Sequence, residues 1–198
     1  IWPDRTYNRY YDVKPNTVRE FTQPLEKGPL AYADRSLTST WLIADSSFFE
    51  AHREDNYVDF YYERNLPEML SREGPALSVA DVNRDGLEDV FIGGGKGQAA
   101  RLYIQQPDGS LQVKDQAAFR LYADLEDVTS VFFDADKDGD LDLFVGAGGN
   151  YMEPGSRESQ HRLFKNDGQG NFSLDPQAFP NNDMNIAIAV HCDYDGDG

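Results

Sequence analysis

One acidic pattern occurs three times along the chain, each time in the same setting. "DVNRDGLED" spans 81–89, "DADKDGDLD" spans 134–142, and "DYDGDG" begins at Asp193. The apolar runs "ALSVA", "VTSVFF" and "IAIAVHC" precede the three loops, and "VFIGGG" and "LFVGAGG" follow the first two. "RLYIQQPDGSLQV" and "RLFKNDGQGNFSL" come next, each with two apolar runs around a glycine turn, which reads as a hairpin. "QAAF" and "PQAF" close the two units.

Each unit therefore reads strand, acidic loop, strand, connection, strand, turn, strand. Four short strands recurring every 50 residues or so is the pattern of propeller blades. The expected fold class is all-β: a partial β-propeller of four-stranded blades, at about 76–119 and 128–179, with a truncated blade from 184. "VFIGG" and "LFVGA" are apolar on both faces, as strands buried between neighbouring blades should be. Helical periodicity is weak, and "DQAAFRLYADLED" (115–127) is the best helix candidate.

Alternate residues of a tight turn converge on one point, and glycine at the sixth position permits the bend. In the second loop, carboxylates fall at positions 1, 3, 5 and 9: Asp134, Asp136, Asp138 and Asp142. Asp140 at position 7 offers a backbone carbonyl. The first-loop equivalents are Asp81, Asn83, Asp85, Leu87 and Asp89. An all-oxygen shell suits a hard cation, and calcium suits it better than magnesium or zinc. An EF-hand needs an acid at position 12 and flanking helices; Ile92 and Val145 stand there instead, in strand-like runs. The alternative is a set of solvated Asx turns without an ion. In the third loop Asp193, Asp195, Asp197 and Gly198 match positions 1, 3, 5 and 6, while positions 7 and 9 lie beyond the sequence. It is expected to bind calcium poorly, and the propeller is not expected to close within these residues.

The repeats resemble FG-GAP/VCBS repeats, the calcium-loop blades of integrin α-subunit heads and many secreted bacterial proteins. "HREDNYVDFYYERNLPEMLSREGPALSVADVNRDGLEDVFIGGGKGQ" is similar to the opening of the repeat region in Bacteroidota surface proteins of the ASPIC/UnbV (cartilage acidic protein-like) type. "IWPDRTYNRYYDVKPNTVREF" resembles the end of an ASPIC/UnbV module, with Arg5 where a glycine is usual. The resemblance implies the end of one module at 1–21, a linker at 22–47 and the start of a propeller at 48–198. It also implies a secreted or surface-anchored, extracytoplasmic protein that binds and scaffolds, and it transfers no catalytic residues.

The net charge of −17 disfavours nucleic acid and anionic membranes. No apolar run is long enough to span a bilayer. Cys192 is the one cysteine, expected to be a small buried residue, so no internal disulfide forms. His52, His161 and His191 are scattered, and a zinc site would need them to meet a third ligand. "GGGKGQ" (93–98) lacks the spacing of a phosphate loop and reads as a blade turn. Aromatics in "YNRYYD" and "NYVDFYYERN" suit strand packing or, on a surface, sugar stacking. The connection 147–160, with Tyr151, Met152, Glu153 and Pro154, is the candidate contact loop. Asn171 begins a glycosylation sequon. The expected function is a non-enzymatic, calcium-stabilised interaction module binding protein partners at the cell surface, as in an outer-membrane (SusC/SusD-like) assembly. A glycan-binding module and an accessory domain of a secreted hydrolase are the alternatives.

Overall fold

Short apolar runs broken by glycine turns give strands that pair with their sequence neighbours. A computed structural model describes residues 48–72, 74–149, 156–181 and 184–194, and it contains two such sheets. The first consists of β1 (Leu77–Ala80), β2 (Asp89–Ile92), β3 (Arg101–Gln105) and β4 (Leu111–Lys114). The second consists of β5 (Glu126–Phe133), β6 (Asp142–Gly148), β7 (Arg162–Asn166) and β8 (Phe172–Leu174). Both are antiparallel meanders in sequence order. The described part is thus mainly β and matches the expected four-strand units. The expected ends at 1–21 and 22–47 lie outside the described residues, as does the candidate contact stretch at 150–155.

The helix candidate at 115–127 forms a single turn, α1 (Ala117–Arg120). Its Phe119 explains why a turn sits there. The ring enters the core between the sheets, edge-on to Phe91 at 5.5 Å and to Phe164 at 5.1 Å. Val82, Phe91, Leu102, Leu143, Val145, Phe164 and Phe172 complete that core. Burying side chains of this size stabilises by about 1.5–3 kcal/mol each.

Polar links tie the sheets together at both edges. Ser78 Oγ on β1 lies 2.6 Å from Ser130 Oγ on β5. Gln116 spans the outer edge: its Nε2 donates to the Gly170 carbonyl (2.8 Å), and its Oε1 accepts the Phe172 N–H (3.1 Å). β6 is buried along its length, as "LFVGA" suggested, whereas β2 alternates between buried and half-buried.

Residues 184–194 form no strand, contrary to the expectation from "IAIAVHC". The segment follows the second sheet: Ala189 N–H donates to Thr129 Oγ1 (3.0 Å), and His191 stacks on Phe133 at 5.1 Å. A ladder needs a hydrogen-bonded partner. Among the described residues no strand pairs with this segment. Cys192 is consequently exposed, not buried. "NYVDFYYERN" forms no strand either. Asp59–Tyr61 is a 3₁₀ turn, pinned by Ser71, whose N–H and Oγ both donate to buried Asp59 Oδ2. Tyr61 and Tyr62 consequently project outward, at 77% and 73% exposure.

Candidate metal sites

The two complete acidic loops connect β1 to β2 and β5 to β6. Their backbones share an unusual signature. Position 4 is left-handed in both, at Arg84 (φ 62°) and Lys137 (φ 64°), and so is position 6, at Gly86 (φ 84°) and Gly139 (φ 89°). Position 4 sits at the left-handed value that a side chain can adopt at some cost, whereas position 6 lies at a larger φ, where glycine recurs.

The hydrogen bonds repeat as well. Position 6 N–H donates to the position 1 carboxylate: Gly86 to Asp81 Oδ2 (2.8 Å) and Gly139 to Asp134 Oδ2 (2.9 Å). Position 7 N–H donates to position 5: Leu87 to Asp85 Oδ1 (2.8 Å) and Asp140 to Asp138 Oδ1 (3.0 Å). These bonds orient the carboxylates at positions 1 and 5 toward the hollow of the turn.

The position 9 carboxylates are hydrogen-bonded within their own sheets. Asp89 and Asp142 are 0% and 1% exposed. Asp89 Oδ2 accepts the Val82 N–H (3.2 Å) and its Oδ1 the Gln105 N–H (2.9 Å). Asp142 Oδ2 accepts from Ala135 (3.1 Å) and Oδ1 from Asn166 (2.8 Å). Each carboxylate thus staples its loop to the third strand of its own sheet. Burial pushes both carboxyls up from their ordinary value, outweighing the opposing backbone N–H groups.

In the second loop, carboxylate oxygens of Asp134, Asp136 and Asp138 all lie within 4.8 Å of one another. Asp142 stands outside that group. The side chain of Asp140 turns away to a point 3.9 Å from Arg84 of the first loop. Burial and Asp138 push its carboxyl up, and Arg84 only partly opposes them. Asn166 links the loops, donating to the carbonyls of Val82 (2.8 Å) and Leu141 (3.1 Å). Lys165 Nζ lies 2.9 Å from Asp136 Oδ2 and draws that carboxyl below its ordinary value. In the first loop, Asn83 donates to Asp85 Oδ2 (2.9 Å), so two carboxylates and an amide stand where the second loop has three carboxylates. The convergence at positions 1, 3 and 5 of the second loop is a donor set that suits a hard cation, and the first loop carries Asp81, Asn83 and Asp85 at the same positions. Asp193 is exposed, and Asp195 and Asp197 lie outside the described residues.

Residues 81–145 match the family model of FG-GAP-like repeats. The FG-GAP-like match starts at position 1 of the first loop and ends within β6, so it spans one period from loop to loop and less than half of the chain. No curated protein and no solved structure matches the chain.

A second cluster was not foreseen from the sequence. The three histidines do not meet. His52 instead joins Glu54 and Glu126, with one ligand atom from each within 4.8 Å of the others. His52 Nε2 lies 2.7 Å from Glu54 Oε1. Glu126, the first residue of β5, is 1% exposed. Burial, with Glu54 nearby, pushes its carboxyl up to about 7. Alternation of His52 and Glu54 in an extended segment was the one legible hint, because residues i and i+2 share a side. Nothing local points to Glu126. "GGGKGQ" forms the turn beside this cluster, where Lys96 N–H reaches Glu126 Oε2 at 3.4 Å.

Proposed function

We propose that the chain is part of a calcium-stabilised β-propeller that works as a protein-interaction module outside the cytoplasm, at the cell surface. The FG-GAP-like match and the meander sheets support a propeller-type interaction module. The observation that carries the calcium reading is the duplicated loop: two separate sequences adopt the same left-handed positions and the same position 6-to-1 and 7-to-5 hydrogen bonds. Three like charges held this close repel unless a cation or protons neutralise them. A calcium ion at each loop would fasten two strands of one blade and leave the outer surface to partners. Membership of an ASPIC/UnbV-type surface protein and of an outer-membrane assembly belongs to the same reading.

The test is calcium content by elemental analysis, with thermal melts in calcium and in EDTA. The expected outcome is two calcium ions per chain at saturation and a melting temperature that falls with EDTA. Asp134→Ala should remove one ion. An unchanged melt and no calcium would overturn the reading.

The exposed aromatic turn favours glycan binding as a second reading. Tyr62 stacks on Tyr57 at 5.3 Å and 2° between planes, and Tyr61 projects beside it. A flat aromatic platform stacks on sugar rings. Glycan-array binding lost in Tyr61→Ala and Tyr62→Ala would support it.

A further inference from the structure

We propose that His52, Glu54 and Glu126 form a site for a first-row divalent metal ion of the zinc type, which fastens the segment before β1 to the start of β5. This site is separate from the acidic loops and does not rest on the calcium reading.

The residues come from two distant parts of the chain. His52 and Glu54 lie in the extended segment that runs past the turn at 93–98. Arg53 N–H donates to Gln98 Oε1 there (2.9 Å), and Gln98 Nε2 donates back to the Ala51 carbonyl (3.0 Å). Glu126 arrives from the second sheet. Its register is fixed by the next residue: Asp127 N–H donates to the Gly94 carbonyl (2.9 Å), and Asp127 Oδ2 accepts the Gly94 N–H (2.9 Å).

The observation pointing to a ligand is the state of Glu126. The side chain is buried, and its Oε1 has no hydrogen-bond partner. A buried acceptor left without a partner costs about 1–3 kcal/mol, more if charged. That oxygen faces the histidine. A Cβ built on Gly74 would sit 3.4 Å from Glu126 Oε1 and 3.3 Å from His52 Nε2, so glycine there keeps the space between them open. The His52 side chain faces the same turn, 3.1 Å from where a Gly95 Cβ would stand.

One imidazole nitrogen and two carboxylate oxygens form a mixed donor set. Calcium and magnesium take oxygen, whereas zinc accepts nitrogen and carboxylate together. Three protein ligands leave a fourth tetrahedral position for water. Tetrahedral zinc with bonds of about 2.0–2.2 Å holds its ligands about 3.3 Å apart, so a cluster already within 4.8 Å closes on the ion by small side-chain movements. The ion would give Glu126 Oε1 its missing partner and neutralise the repulsion between the two glutamates. A proton on Glu126 is the competing way to hold them together.

The experiment is a zinc chloride titration of the chelator-stripped chain by calorimetry, with calcium in excess to fill the loops. The expected result is saturable uptake of one zinc per chain and a raised melting temperature. His52→Ala and Glu126→Gln should each weaken uptake by about 10–100-fold or more, at least what loss of a supporting residue around a metal costs. Glu126→Gln keeps the size of the side chain and mimics the protonated acid, so its folding is checked by circular dichroism. Glu54→Gln, at the surface, is the second variant should the buried ones misfold, and it should also weaken uptake. Asp134→Asn with Asp138→Asn should leave zinc uptake unchanged while lowering calcium. No saturable zinc uptake by the wild type, or uptake indifferent to all three ligand variants, would overturn the proposal.

Discussion

Asp134, Asp136 and Asp138 bring three carboxylates together in the second loop; the first loop has Asp81, Asn83 and Asp85 in those places. The backbones match at positions 4 and 6, and both position 9 aspartates bridge to the third strand. The difference lies around that frame. In the second loop, Asp142 is tied to Asn166, which also holds carbonyls of both loops, and β6 beneath is buried throughout. In the first, Asp89 is tied to Gln105, and β2 alternates between buried and half-buried residues. The same contrast appears at Arg162 and Arg101, which open the equivalent strands. Arg162 is buried and 2.8 Å from buried Asp127, whereas Arg101 pairs with Glu50 at the surface. A repeated sequence thus builds equal loops on unequal supports. Stability should depend more on the second loop's staple, and ion affinity on the charge each loop carries.

The largest expected effect is Asp142→Ala. It removes the acceptor for one buried and one half-buried N–H group and should cost about 3–5 kcal/mol by urea denaturation. Asp89→Ala removes the same pair of bonds from a less buried frame and should cost less. Equal losses would break the comparison of supports.

Next is Asn83→Asp, which gives the first loop the charge pattern of the second. Calcium affinity there should rise by about tenfold, measured by calorimetry, because ligand charge tunes such sites. If the change leaves affinity as it was, charge is not what separates the loops.

Lys165→Met should act on the second loop alone. The ammonium neutralises Asp136 in the absence of an ion and competes with one when it arrives. The variant should bind calcium more tightly and melt slightly earlier in EDTA. Weaker calcium binding would show that Lys165 supports the ion rather than opposing it.

The smallest effect concerns pH. His161 Nδ1 accepts the Ala147 N–H at 3.3 Å, and burial followed by Arg162 pushes its pKa below the ordinary 6.5. A depressed pKa in a base means the fold favours the neutral ring. Its contribution is complete above 6.5 and is lost as pH falls below it. Stability should therefore drop slightly on mild acidification, and His161→Gln should flatten that slope. The first sheet carries Ala100 at the equivalent place and has no such term. An unchanged slope in the variant would remove His161 as the cause.

Much of the fold was legible because it is local. Alternating apolar runs, the glycine at position 6 and the hairpin turns specify which strands pair, since meander partners are sequence neighbours. "DQAAFR" was harder. Its composition suggested a longer helix, but Phe119 is drawn into the core after one turn, and β5 begins at Glu126. "NYVDFYYERN" misled in the same way, because strand propensity is realised only where a partner strand is present. Asp59, held by Ser71, makes a turn of it.

The sequence by itself determined the repeat, the loop chemistry and the oxygen donors at positions 1, 3 and 5, because these depend on spacing within nine residues. Tertiary structure decided the rest. Burial and the neighbouring strand turned Asp89 and Asp142 into staples. The approach of one loop to the other gave Asp140 to Arg84. Docking of the segment before β1 brought His52 and Glu54 to Glu126, across a separation that no pattern in the chain encodes. Local spacing fixes what a turn can hold; only packing fixes which distant side chains meet.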